Sequence, residues 1–230
     1  MATIFGRLEL ILANKPFAIL DGAMGTELER RGYRTTLPLW SAPANQEAPG
    51  MVRQIHEDYI RAGSDILTAN TFRTTEYTLA KAGKGEFAEE LTQNAVNLAI
   101  EAAAGVHRDV LVAGSLAPME DCYSPELVPE SEVIRNAYMK QVSTLARAGV
   151  DLVLVETMIN REEIRIASQC CQAMAMPYMM SCVVEDGKIL DGTTLEHVIS
   201  DLDDRLLLAV LLNCRTPDRL TAGLPLLRQH

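Results

Sequence analysis

One seven-residue stretch, Arg61-Ala62-Gly63-Ser64-Asp65-Ile66-Leu67, recurs 86 residues later as Arg147-Ala148-Gly149-Val150-Asp151-Leu152-Val153. Each copy is the end of a helical pattern, a glycine, and the start of an apolar run. A glycine just past the last helical turn supplies a left-handed residue, so both copies mark a helix handing the chain to a buried strand. The same alternation runs through the whole sequence. Phe17–Leu20, Asp65–Asn70, Val110–Ser115, Leu152–Glu156, Tyr178–Val183 and Leu206–Asn213 read as six strands. Each is nearly continuous in apolar residues, as expected of parallel strands covered on both faces. Met51–Ala62, Glu86–Ala104 and Glu132–Ala148 have helical spacing and stop at Gly63, Gly105 and Gly149, each predicted to be a left-handed cap. Thr193-Thr194-Leu195-Glu196 has the capping-box form that opens a fifth helix. Repeated βα units without reversal favour a (β/α) barrel over a doubly wound sheet. Six strands stand where a closed barrel of this type has eight, so the expectation is one α/β domain over 1–230, shortened to about six βα units and incomplete at its C-terminus.

With 48% hydrophobic residues in 230, the chain can bury a full core. A formal charge of −10 argues against nucleic acid and anionic membranes as partners, because both require a basic footprint. No run approaches the ~18 apolar residues of a membrane helix, and Met1–Arg7 has no basic segment followed by an apolar one. The five cysteines, 122, 170, 171, 182 and 214, are odd in number and irregular in spacing, which suits free thiols in a reducing cytoplasm. The partner is then a small molecule or another copy of the chain.

Residues able to do chemistry gather where the apolar runs end, the end at which α/β folds place their sites. The first run exits into Asp21-Gly22-Ala23-Met24-Gly25-Thr26-Glu27-Leu28, where Asp21 either faces a ligand or caps the next helix. Asn70 and Thr71 could hydrogen-bond a polar ligand or satisfy loop backbone. Glu156 follows four apolar strand residues and is costly to bury without a partner; an α-ammonium would be a suitable one. Gly114-Ser115-Leu116-Ala117-Pro118 is a flexible exit that could line the same mouth. Cys214 ends the sixth run, in Leu211-Leu212-Asn213-Cys214-Arg215, and either packs in the core or faces the site. Cys170 and Cys171 fall in a helical segment and read as packing. His56 and His107 lie in or after helices, and neither they nor His230 read as catalytic bases.

Taken in order, Asp21–Leu28, Leu39-Trp40-Ser41-Ala42, Arg61–Asp65, Asn70-Thr71-Phe72, Gly114–Pro118, Glu156-Thr157 and Asn213-Cys214 resemble the homocysteine S-methyltransferase family over residues 8 to 218. The resemblance implies a (β/α)8 TIM-barrel-like fold, zinc as cofactor, and a place in methionine biosynthesis. It also implies methyl transfer from a small donor (S-methylmethionine-like, betaine, folate or corrinoid) to a thiol such as homocysteine. By motif, Cys214 would be a zinc ligand, Glu156 would meet the homocysteine amino group, Asp21 would lie in the amino-acid pocket, and Asn70 and Thr71 would form its wall. The family takes its other two zinc cysteines from a Gly-Gly-Cys-Cys motif after the last strand, which this sequence does not contain. Two readings therefore stand: a methyltransferase, or an amino-acid-binding barrel that has lost the zinc site or depends on a partner. An open sheet would expose its edge strands, so a second copy or a complementing chain is predicted to cover them.

Overall fold

A computed structural model describes residues 3–202 and 205–227. Met1, Ala2 and the residues after Leu227, His230 among them, lie outside the described residues. The chain forms two compact units: one of residues up to Ser115 with Thr144–Leu152, the other of Leu116–Ser143 with the residues from Val153 onward.

The first unit holds α1 (Ile4–Asn14), α2 (Met24–Arg30), α3 (Ala44–Glu47), α4 (Pro49–Ala62), β1 (Ile66–Ala69), α5 (Glu76–Ala80), α6 (Ala88–Ala104) and β2 (Leu111–Leu116, whose last residue falls in the second unit). β1 and β2 are parallel, in the register Ile66 to Leu111 through Ala69 to Gly114. α2, α3 and α4 meet through Leu28, Ala44, Val52 and Ile55, all buried. Ile60, Leu67, Ala102 and Val110 join α4 and α6 to the strands.

The second unit holds most of α7 (Ser131–Ala148), β3 (Leu152–Met158, whose first residue falls in the first unit), α8 (Arg161–Ala173), β4 (Tyr178–Cys182), the short hairpin β5 (Val184–Glu185) and β6 (Lys188–Ile189), α9 (Leu195–Ser200), β7 (Leu207–Leu212) and α10 (Pro217–Leu227). β3, β4 and β7 are parallel, and β4 is buried along its length. Parallel strands alternating with helices are the α/β pattern expected of the barrel class. Among the described residues, no helix is long and apolar enough to cross a membrane.

The sequence echo has a structural cause. Asp65 donates its backbone N–H to Ile19 O and accepts the Ile19 N–H on Oδ2 at 2.8 Å. Asp151 does the same two βα repeats along, donating to Val112 O and accepting the Val112 N–H on Oδ2 at 2.8 Å. In both copies the aspartate closes a two-bond ring onto the adjoining segment, so the carboxylate sets where the strands begin.

Several sequence expectations are corrected. Phe17–Leu20 makes one isolated bridge, Leu20 to Ile66, through the Ile66 N–H to Ile19 O and the Asp21 N–H to Ile66 O, rather than a full strand, while the Ile19 N–H goes to Asp65 Oδ2. Gly63 and Gly149 are left-handed caps at φ 107° and 91°, but Gly105 is right-handed at φ −74°. There the cap N–H bonds to Ala102 O, tightening the last turn instead of reversing it. The fifth predicted helix is capped by Thr194, whose Oγ1 accepts the His197 N–H, since the Thr193 N–H is already taken by Asp191. The final strand is half-buried along its whole length, against the expectation of cover on both faces.

Candidate functional site

In the first unit the site region forms where β1 and the short segment before it end. Asp21 Oδ2 accepts the Thr68 N–H at 2.8 Å, so a backbone donor of β1 holds the carboxylate. The turn that follows is tightly overlaid. A Cβ at Gly22 would collide with the Tyr59 phenol, and one at Gly25 with the Trp40 indole. The two glycines are thus required by close approach, and Tyr59 adds a hydrogen bond to Ala23 O at 3.3 Å. Behind Asp21 stands His56 of α4, fully buried, its Nδ1 3.9 Å from Asp21 Oδ2. Burial pushes the His56 pKa down to about 4, which leaves the ring neutral at neutral pH.

Asn70 is spent within its own loop. Its Oδ1 accepts from Ser41 Oγ at 2.6 Å, its Nδ2 donates to Ser41 O and Asn45 Oδ1, and its carbonyl accepts from Asn45 Nδ2. Thr71 donates to Ser115 O at 2.8 Å and is likewise buried. These two residues tie the exit of β1 to the Leu39–Ala42 segment and to β2. The structural alternative named from sequence, satisfaction of the loop, is therefore met by hydrogen bonds on both side chains.

In the second unit the site region forms where β3 and β7 end. The β3–β4 register slips between Val155 and Met158, and within that irregularity Thr157 has φ 62°. A β-branched residue in the left-handed region is a strained choice, of the order of 1–3 kcal/mol, and a bulge there re-aims a side chain. Its hydroxyl is turned toward Cys214, which is left-handed at φ 54°. Thr157 Oγ1 and Cys214 Sγ are 3.7 Å apart.

Asn213 joins the set. Its Nδ2 donates to Thr157 Oγ1 at 2.8 Å and reaches Cys214 Sγ at 3.6 Å, while its Oδ1 accepts from Ser181 Oγ at 3.0 Å. The Arg215 guanidinium, next along the chain, lies 5.7 Å from the Tyr123 ring centroid. Cys214 is exposed, so this network aims a sulfur at solvent. Glu156, next to Thr157 on β3, is half-buried.

The other thiols are placed differently. Cys170 and Cys171 are buried on α8 as packing residues, and burial raises the Cys170 pKa. Burial pushes Cys182 up to about 12. A catalytic zinc site takes three protein ligands and an open position. Among the described residues no group of three His, Cys, Asp or Glu side chains is placed to hold a metal. Cys214 alone offers an accessible thiol at a strand end, so these residues do not by themselves fit zinc.

Sequence reasoning named Asp21, Asn70, Thr71, Glu156 and Cys214. It passed over His56, Thr157 as a strained residue, and the Ser181–Asn213 support. The available signal was polarity: His56 sits among the apolar positions of an amphipathic helix whose buried face is otherwise Val52, Ile55 and Ile60.

The homocysteine S-methyltransferase family profile matches residues 18–230. The homocysteine S-methyltransferase of Escherichia coli K12 is 30% identical, over 94% of this chain and 75% of that protein. A selenocysteine Se-methyltransferase of Brassica oleracea var. italica is 28% identical, over 97% of this chain and 72% of that protein. Among solved structures, the metallated form of the Escherichia coli homocysteine methyltransferase MmuM superposes with a TM-score of 0.90 at 29% identity, covering 97% of this chain and 83% of that one.

Proposed function

The chain belongs to the homocysteine S-methyltransferase family, and from that premise we propose that it moves a methyl group from a small donor to the sulfur of an amino-acid thiol such as homocysteine. The observation that supports this most directly is the exposed Cys214 thiol, held by Thr157 and Asn213 where β7 ends, on a fold that superposes on a homocysteine methyltransferase. The donor is an S-methylmethionine-like sulfonium, betaine, a folate or a corrinoid.

The reaction is a direct displacement. The acceptor sulfur forms a bond to the methyl carbon as the donor–methyl bond breaks; the donor leaves with the electron pair, and the acceptor thiol's proton passes to solvent water. No covalent enzyme intermediate is required. The roles assigned to the chain's residues follow the chemistry of each. Asp21 and Glu156 are carboxylates suited to an α-ammonium group. Asn70 and Thr71 hold the loop that walls the amino-acid pocket. Cys214 is the residue that the family motif makes a zinc ligand. Zinc would supply acidification of the acceptor thiol; the described residues furnish one thiol toward it, and none of the roles above is routed through the metal.

The family profile runs through both compact units, which supports reading 1–230 as one domain. Its five free cysteines suit the cytoplasm, and methionine formation is the metabolic setting that suits this transfer. Half-buried β7 favours a second copy or a complementing chain lying against the second unit.

The test is methylation of homocysteine, and of selenocysteine in parallel, with S-methylmethionine, betaine, a methylated folate and a methylated corrinoid in turn as donor, alongside measurement of bound zinc. Methylated product above the Cys214→Ser control supports the reading. No product with any of the four donor types, with or without added zinc, overturns it.

A further inference from the structure

His56 is buried completely, and neither ring nitrogen has a hydrogen-bond partner among the described residues. A polar ring in an apolar setting carries an uncompensated desolvation cost, so a hydrophobic residue of similar volume would pack there more favourably. What lies in front of the ring is Asp21. Their side chains are 0% and 4% exposed, and Nδ1 faces Oδ2 at 3.9 Å. That same oxygen accepts the Thr68 N–H, so the carboxylate is approached by two donors from within the first unit.

We propose that His56 is a positioning residue that aims Asp21: its Nδ1–H dipole, acting at short range in a buried setting, fixes the carboxylate that receives the amino group of the acceptor. This rests on the proposed role of Asp21 and goes beyond it by naming the group that orients it. The choice of a neutral imidazole has a physical reason. A lysine or arginine at this place would cancel the negative charge that an incoming ammonium requires, whereas a neutral N–H orients the oxygen and leaves the charge. Asp65 shows the other arrangement: Lys15 Nζ lies 2.6 Å away and Arg108 Nη1 3.4 Å away, and that carboxylate is neutralised as a structural tie.

The experiment compares binding of two ligands to the full chain: L-homocysteine, and 4-mercaptobutanoic acid, which keeps the thiol and carboxylate but lacks the amino group. His56→Leu should weaken homocysteine binding about fivefold, the scale of an ion–dipole contact at 3.9 Å rather than of a hydrogen bond, and leave the deaminated ligand within about twofold. His56→Asn, which can present an N–H near the Nδ1 position, should bind homocysteine almost as the parent does; His56→Gln, which reaches toward Nε2, should resemble His56→Leu. The Asn and Gln pair keeps the test decisive if the leucine variant does not fold. Adding His56→Leu to Asp21→Asn should cost nothing further in homocysteine affinity.

Unchanged homocysteine binding by a folded His56→Leu protein overturns the proposal, as does equal weakening of both ligands or equivalence of the Asn and Gln variants. If the parent protein itself fails to prefer homocysteine over 4-mercaptobutanoic acid, the assigned role of Asp21 falls, and this proposal falls with it. A parent that discriminates beside a variant that is unaffected removes the proposal alone.

Discussion

Asp65 and Asp21 stand on neighbouring segments of the same unit, and each accepts one backbone N–H at 2.8 Å, yet they are finished in opposite ways. Asp65, where β1 begins, is closed off by Lys15 and Arg108. Asp21, beside the end of that strand, is met by a neutral imidazole instead. The same contrast recurs further along. Asp151 at the start of β3 is tied to Arg7, whereas the end of β3 presents a strained threonine that holds an exposed thiol. Strand starts carry charges that are neutralised to fix register; strand ends carry groups met by neutral neighbours, His56 at Asp21 and Thr157 with Asn213 at Cys214. A fold that separates these tasks can vary its chemistry without disturbing its strand order.

The sharpest way to break this comparison is at Cys214. Cys214→Ser, which replaces the thiol that Thr157 and Asn213 hold, should reduce methyl transfer by about 100-fold, roughly 3 kcal/mol in the barrier. Because the residue is exposed, its melting temperature should stay close to that of the parent. A serine variant that retains most of the activity would remove Cys214 from the reaction.

The next effect is pH-dependent. The folded-state pKa of His56 is about 4, below its ordinary 6.5, so as pH falls the unfolded chain takes up this proton first. The stability associated with the group is therefore complete above pH 6.5 and is lost between pH 6.5 and 4, to the extent of about 3 kcal/mol. Urea unfolding across that window should show the slope in the parent and a flatter profile in His56→Leu. Equal slopes would place the titration elsewhere.

Asp65→Ala should separate the two ends most cleanly. It strips the partner from Lys15, Arg108 and the Ile19 N–H, and should cost about 2–3 kcal/mol of unfolding free energy. Homocysteine affinity should remain unchanged within error; a weakened affinity at unchanged stability would invert the comparison. The smallest effect concerns Thr157→Val, which keeps the β-branch and removes the hydroxyl that Asn213 donates to. A loss of about 1 kcal/mol is expected, together with a changed rate of Cys214 alkylation by iodoacetamide. Thr157→Ser should restore the alkylation rate, since it keeps the oxygen.

Much of this arrangement was legible in the sequence. The echo around Asp65 and Asp151 marked two equivalent strand starts, and the apolar runs ended on the residues that the structure places at strand ends. The misses share a cause. Gly105 and Thr194 each depended on which of two competing acceptors took a backbone N–H, a choice made by neighbours rather than by periodicity. Asn70 read equally well as a ligand group or a loop tie, because the deciding partners, Ser41 and Asn45, lie 29 and 25 residues away.

By itself the sequence determined the order of strands and helices, their parallel sense, the family, and the positions from which chemistry could act. The order and sense of the elements follow from hydrophobic period and local caps, which are written in neighbouring residues, whereas the family and the candidate positions come from the resemblance of the rim motifs. The tertiary structure alone decided that Thr157 and Cys214 would both be left-handed and in contact, that Asn70 would be consumed within its loop, and that His56 would stand behind Asp21. Such outcomes depend on which buried polar atoms meet once distant segments pack. The free energy of an unmatched polar group is set by its three-dimensional surroundings, and no local pattern encodes it.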